Sequence, residues 1–515
     1  MAFVKNIITI GCWTILSRIT GLMREMLVAN YLGAGIIADA FFVALRFPNM
    51  FRALFAEGAF NSAFIPMFTS KLKSFAGIDT ARQFAEQCLA VLIVVLISFI
   101  VVIEIGMPWF IYIQAYGFED TPGKLALTIE FSRITFPYLL FISVVSLQSG
   151  VLNAMGHFAV AAGTPVLFNI TSMAVMIALV PYVETAGHAI AWGIFVSGVV
   201  QFLWLITSVH RINMRLRLVK PRILPEVKVV LSRIVPGAVG AGVYQVNLFI
   251  NTIIASNISN GAVSYLNYAD RINQLPLGIV GIAISTALLP LLSRQVSIGN
   301  TAGAIESQNR AMEIGMLLTL PATVAFLIIP HSIVAVLFER GSFTEIDTMA
   351  VTSTLMAFAI GLPAYVLIKV LTLGFFARQD TKTPMKITIV TMVINIGLNL
   401  VLMVPFAYVG MALSTAIVSW LNVIILIWIL KRRDYFIVDK RLVSRVWRTL
   451  LSCLFLACIL IGVNLLLKSL LYTSDFRILA LCFLVIIGIC SFVLITIVTG
   501  AIKFDELKVI MRKKN

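Results

Sequence analysis

The sequence predicts an all-α polytopic membrane protein. It should have about fourteen transmembrane helices, arranged as two six-helix lobes in parallel pseudo-repeat plus a C-terminal helix pair. Three observations predict this. Of 515 residues, 60% are hydrophobic and 12% charged, and apolar runs of membrane-spanning length recur from end to end, which a soluble core could not use. The basic residues fall on alternate inter-span loops, as the positive-inside rule requires. A weak internal repeat relates the two halves.

Taken in order, the first expected span is 4–32. One lysine (Lys5) precedes its long apolar stretch and no small-residue cleavage site follows, so it reads as a retained helix. The second, 37–69, carries Pro48 and Pro66. Spans 84–113, 125–154, 160–181 and 186–208 complete an N-lobe over 1–220. The C-lobe, 221–435, holds 228–256, 262–293, 308–333, 348–377, 385–404 and 408–430. A final pair, 446–470 and 478–500, with a basic tail, makes up 436–515.

Charge tests the count. With both termini cytoplasmic, 28 of the 39 Lys and Arg fall on cytoplasmic loops and tails, and four (Lys124, Arg340, Lys468, Arg477) fall on the opposite loops. That asymmetry supports an even number of spans and this orientation. It also assigns the net charge of +16 to topology and contact with anionic membrane lipids, with no call for nucleic acid.

A shift of 224 residues lays the second span over the eighth: Ala59 meets Ala283, Ser62 meets Thr286, Ala63 meets Ala287, Pro66 meets Pro290 and Thr69 meets Ser293. Six spans per lobe is even, so the two lobes share one orientation. Parallel repeats with a site near the midplane are one architecture of alternating-access transporters.

The remaining seven bases, Arg18, Arg24, Arg46, Arg52, Arg133, Arg271 and Lys369, lie inside expected spans. An arginine facing lipid costs about 2.5–3.5 kcal/mol, and seven would cost roughly 20 kcal/mol. They are therefore expected on protein-walled, wet surfaces that attract an anion. The central acids are Glu25, Asp39, Glu57 and Asp270. Arg18 and Glu25 are seven apart, as are Asp39 and Arg46, with Glu57 eleven further on. In a regular helix each set shares a face, and an ion-pair ladder is the alternative to substrate contact. Arg24 and Arg52 fall off those stripes and are the better substrate-facing candidates, since a guanidinium fork suits phosphate. Arg133 reads as snorkelling near a span end, and Lys369 as either a substrate ligand or a gate ion pair. Counterparts of Arg18, Arg24, Arg46 and Arg52 at the repeat register are Gly242, Leu248, Asp270 and Pro276, which suggests that the N-lobe is the specialised anion-binding half.

Other chemistries have little to stand on. The six cysteines (12, 88, 453, 458, 482, 490) all fall within spans, so neither a disulfide framework nor a CxxC metal site is expected. The four histidines (157, 188, 210, 331) sit singly near helix ends. No Ser-His-Asp set or Gly-rich phosphate loop is found, and no enzyme activity or cofactor is expected.

The runs Ser17-Arg18, Arg24-Glu25, Asp39-Ala40-Phe41-Phe42, Pro48-Asn49 with Arg52, and Phe55-Ala56-Glu57-Gly58-Ala59-Phe60 resemble the MurJ (MviN) family of lipid II flippases. So do Tyr268-Ala269-Asp270-Arg271 and Gly374-Phe375-Phe376-Ala377-Arg378-Gln379-Asp380. The resemblance covers essentially the whole chain. It implies the fold of the multidrug/oligosaccharidyl-lipid/polysaccharide exporter superfamily, with the last two helices shaping a groove for a polyprenyl tail. It implies that Arg18, Arg24, Arg52 and Arg271 contact the pyrophosphate–sugar head. Gating or cavity-shaping roles then fall to Glu25, Asp39, Arg46, Asn49, Glu57, Asp270 and Lys369. The implied substrate is lipid II or a similar undecaprenyl-pyrophosphate-linked molecule, with another polyprenyl-linked oligosaccharide as the alternative. Other cell-wall synthesis proteins are expected partners, and the bacterial cytoplasmic (inner) membrane the expected location. Some family members resemble a cation-coupled transporter with a carboxylate between spans seven, eleven and twelve. Here those spans offer Asn247, Asn395 and Asn399 but no acid, so no sodium site is carried over. An inside-negative potential is expected to favour outward movement of the anion and inward return of the empty, positively charged site.

Overall fold

The computed structural model describes residues 2–53, 59–74, 77–472 and 476–502, with side chains at 2–8, 59, 61–62, 233–241, 244 and 282–283 left aside. Among the described residues every regular element is helical. Two compact units result, Met1–Ser264 and Tyr265–Asn515.

The first unit contains α1 (Ala2–Leu32), α2 (Ile36–Ala44), α3 (Arg46–Phe51), α4 (Ala59–Leu72), α5 (Gly77–Gln114) and α6 (Lys124–Thr135). It continues through α7 (Tyr138–Ala154), α8 (Phe158–Ala162), α9 (Thr164–Leu179), α10 (Ala186–Arg211) and α11 (Pro225–Ser256). Its largest core is built on α4, where the i, i+4 spacing of Phe60, Phe64 and Phe68 stacks three rings on one face. Phe84 of α5 completes the stack, 5.6 Å from Phe64. Val227 and Val230 of α11 join this core, and Lys71 pairs with Glu226 at 3.1 Å. Packing thus places the start of α11 with the helices before it, whereas the repeat register assigns that span to the following lobe.

The second expected span is not one regular helix. Proline 48 offers no N–H to the Ala44 carbonyl one turn back, and the helix breaks between α2 and α3. The buried Gln114 amide donates to the Val43 carbonyl at 3.3 Å, satisfying a backbone group beside the break. The stripe of Asp39, Arg46 and Glu57 presumed a straight helix. The break removes that premise, and Glu57 lies outside the described residues.

The second unit holds α12 (Ala262–Ser297, whose first turn belongs to the first unit), α13 (Thr301–Ile328), α14 (Pro330–Phe338), α15 (Glu345–Phe376) and α16 (Lys382–Arg432). The chain then adds α17 (Lys440–Leu466), α18 (Lys468–Tyr472) and α19 (Arg477–Val498). α15 is central and mostly buried. α16 is a hairpin. Asn395 Nδ2 bonds Ser414 Oγ at 3.1 Å, although 19 residues of continuous helix would separate them by about 28 Å. The reversal occurs at Ala407, whose φ of 48° and ψ of −131° are not helical. Gly410 passes so close to the Leu402 carbonyl that a Cβ there would overlap it.

The C-terminal pair is fastened to the second unit at both ends. Arg310 of α13 bridges Glu313 and Asp439, the N-cap of α17, while buried Arg445 reaches Glu313 at 3.7 Å and the Ala501 carbonyl. At the other end Ser332 bonds Asn464 and Tyr472, both at 2.7 Å.

Ten of the described helices are long and apolar enough to cross a membrane, and one of them is the α16 hairpin. α1, α2–α4 and α11 occupy the spans expected as first, second and seventh. The described chain therefore accommodates the expected fourteen.

Candidate substrate-binding and gating residues

α3 presents three of the expected site residues because its other face is anchored. Phe47 and Phe51, one turn apart, stack at 6.0 Å and pack among Phe99, Phe110, Phe136 and Phe249. Turning that face into the core leaves Arg46, Asn49 and Arg52 half-buried on the others. Arg52 Nε donates to Asn49 Oδ1 at 3.4 Å, a long bond that helps orient the guanidinium.

On α1, Arg18 is exposed near the middle of a 31-residue helix. Arg24, the substrate-facing candidate of α1, pairs through Nη2 with the adjacent Glu25 Oε1 at 2.7 Å. Its Cζ also lies 5.3 Å from the Phe168 ring centre. Helical periodicity does not register a long side chain folding onto the next residue. Glu25 is buried and Arg24 half-buried, so the pair is partly desolvated and held at the surface of α9.

Asp39 is a buried and well-satisfied acid of the first unit. Its side chain is wholly buried, and it accepts from Lys124 Nζ at 2.8 Å, Gly261 N at 2.7 Å, Ser264 N at 2.9 Å and Ser264 Oγ at 2.6 Å. Two of these donors are backbone amides at the start of α12, so Asp39 caps that helix from another element, where its dipole favours an anion. Lys124 is 1% exposed; its ammonium also donates to Asn260 Oδ1 at 2.9 Å and sits 3.9 Å above the Phe118 ring centre. Burying either charge alone would cost several kcal/mol, and here each is compensated by the other and by neutral donors or acceptors. Two glycines make the approach possible. Gly261 takes a φ of 91°, and at Gly117 a Cβ would overlap the Ser256 backbone. Lys124 was counted in the sequence only as a loop charge. The signal that marks it is its rarity, one of four bases on that side.

In the second unit, α12 carries Asp270 and Arg271 beyond a well-packed turn. Tyr268 is buried against Phe338 and Phe343, at 5.0 and 5.3 Å between ring centres, and Tyr265 donates to Asp347 at 3.1 Å. Asp270 accepts from Gln274 one turn on, and Arg271 is exposed. Lys369 of α15 lies over Gly281 of α12, where an added Cβ would come 2.6 Å from Nζ. Arg133 is exposed near the end of α6.

The arrangement resembles known transporters. A family model described as "Lipid II flippase MurJ" matches residues 28–487. A probable lipid II flippase MurJ of Rhizobium tropici is 41% identical over 456 residues, 88% of this chain and 85% of that one. The lipid II flippase MurJ of Burkholderia cenocepacia is 34% identical, with 85% of each chain covered. Among solved structures, a lipid II flippase MurJ in an inward closed conformation shares the fold at a TM-score of 0.78 and 24% identity, covering 95% of this chain and 98% of that one. An inward-facing multidrug resistance MATE family transporter of the MOP superfamily has a TM-score of 0.68 at 16% identity, covering 81% of this chain and 94% of that one. The motifs around Asp39 and Asp270 thus lie within a match that runs through both units, and the chain belongs to the MurJ family of lipid II flippases.

Proposed function

We propose that this protein moves lipid II, the lipid-linked peptidoglycan precursor, from the inner to the outer leaflet of the cytoplasmic membrane by alternating access, with both termini cytoplasmic. Arg18, Arg24 and Arg52 of the first unit and Arg271 of the second bind the pyrophosphate–sugar head. The polyprenyl tail stays in lipid beside α17 and α19.

The observation that carries this reading is the exposure of Arg18 near the middle of a helix of membrane-spanning length. A guanidinium exposed there needs a wet surface and an anion. Membership of the MurJ family supports the pyrophosphate of a lipid-linked precursor as that anion. On binding, Arg52, which meets Asn49, and Arg24, which pairs with Glu25, take phosphate oxygens as partners. Gating or cavity-shaping roles fall to Arg46 in the first unit and to Asp270 and Lys369 in the second. The Asp39–Lys124–Ser264 cluster acts as a latch, because its members must separate before the first turn of α12 can leave α2. The family transports; no catalytic step is assigned.

The test is outer-leaflet accessibility of lipid II in cells that rely on this protein, with Arg24→Ala, Arg52→Ala and Arg271→Ala at matched membrane levels. Accessibility should fall and precursor accumulate inside. Normal accessibility in all three would assign the charges to structure or the substrate to another lipid.

A further inference from the structure

Residues 214–224 join α10 to α11 without any regular structure. The segment is nevertheless fixed. Asn213 ends α10 in the left-handed region at a φ of 58°, and the Met214 side chain enters the α4–α5 core fully buried. From there the chain runs extended over α5. Arg217 N donates to Glu86 Oε1 at 3.0 Å and Arg222 N to Gln87 Oε1 at 3.1 Å. Leu216 turns towards the core while Arg215 and Arg217 point away, the alternation of an extended strand.

Beyond Arg217 the apolar side chains leave the protein. Leu218 is 75% exposed and Ile223 69% exposed. They are interleaved with five exposed bases, Arg211, Arg215, Arg217, Lys220 and Arg222, and 211–222 contains no acid. Neither feature alone would single out this segment. Together they describe a surface of apolar side chains set among cations, on a backbone already anchored, at the end of the bundle where Lys71 and Glu226 also lie.

We propose that residues 214–224 form a strap that binds acidic phospholipid. Leu218 and Ile223 enter the leaflet at headgroup depth and the five bases pair with lipid phosphates. Each base near an acidic surface is worth about fivefold in partitioning, and a buried apolar side chain adds to that. The strap fixes the depth of α5, α10 and α11 in the membrane and makes it depend on lipid charge.

The test is hydrogen–deuterium exchange of the full chain in nanodiscs of phosphatidylglycerol and of phosphatidylcholine, followed on peptides covering 214–224 with α15 peptides as reference. In phosphatidylglycerol these amides should exchange at least about fivefold more slowly, and high salt should erase the difference. The variant Arg215→Gln/Arg217→Gln/Lys220→Gln/Arg222→Gln should show none, and Leu218→Ser/Ile223→Ser part of it. Equal exchange of the wild type in the two lipids overturns the proposal, whether or not the variants fold. So does equal protection in phosphatidylcholine by millimolar inorganic diphosphate, which would make the strap a site for free phosphate. The proposal does not rest on the identity of the transported lipid.

Discussion

The first unit treats two groups of charges in opposite ways. Around Asp39, a carboxylate and an ammonium are withdrawn from solvent and every partner is in place, including two backbone amides of α12. On α1 and α3, one short break away, Arg18 is exposed, Arg52 is held by a 3.4 Å bond to a neutral amide, and Arg24 is held by its sequence neighbour. The first group has nothing left to bind. The second combines an exposed guanidinium with two that are half-buried and held by near neighbours. Charge inside a membrane bundle therefore has two uses, and hydrogen-bond satisfaction separates them.

The contrast can be broken most directly at the latch. Asp39→Ala leaves Lys124 buried and should destabilise the protein by about 3–5 kcal/mol, read as a drop in unfolding midpoint in detergent. Asp39→Ala/Lys124→Met should recover much of that loss; a double variant as unstable as the sum of the singles would show that the pair does not act as a unit.

Arg52→Ala should do the reverse. Under the proposed function it loses one charge-assisted contact to phosphate, so substrate engagement should weaken by about 1.5–3 kcal/mol, roughly ten- to a hundredfold, with the unfolding midpoint nearly unchanged. A variant that transports normally but unfolds early would move Arg52 into the structural group. Ser264→Ala removes one hydroxyl donor from Asp39 and keeps the amides, so about 1–3 kcal/mol of stability should be lost.

The smallest effect is expected outside the bundle. Burial raises the affinity of Asp380 for its proton, but bonds from Thr383 Oγ1 and N and the Arg433 guanidinium at 2.6 Å outweigh it, taking the carboxyl from 3.8 to about 2. A depressed folded-state value contributes stability above the unfolded value. That contribution is complete above pH 3.8 and disappears as pH falls towards 2. Asp380→Asn should be less stable than wild type at neutral pH and converge with it across that window.

Hydropathy and the placement of bases made most of the fold legible, down to the reversal near 405–407 in α16, because a bilayer imposes span length and loop charge. The arginines were legible for the same reason, as residues a lipid face rejects. Pairing was not. Asp39 and Arg46 share a face only in a straight helix, and Pro48 breaks it. Lys124 reaches Asp39 across 85 residues of chain, and no periodicity reports a contact between elements. The division of α11 between packing unit and repeat was also hidden, since it depends on Val227, Val230 and Glu226 finding α4 and α5.

The reversal in α16 also bears on which sequences this fold tolerates. Around it, Val404 and Phe406 are 83% and 51% exposed and can drift among apolar residues. Gly410 cannot, because its neighbour is the Leu402 carbonyl on the outgoing helical arm of the hairpin. Ala407 occupies a backbone region that disfavours any side chain, by about 1–3 kcal/mol. Under random mutagenesis with selection for growth, position 410 should stay glycine, position 407 should accept glycine as a gain, and positions 404 and 406 should record almost nothing.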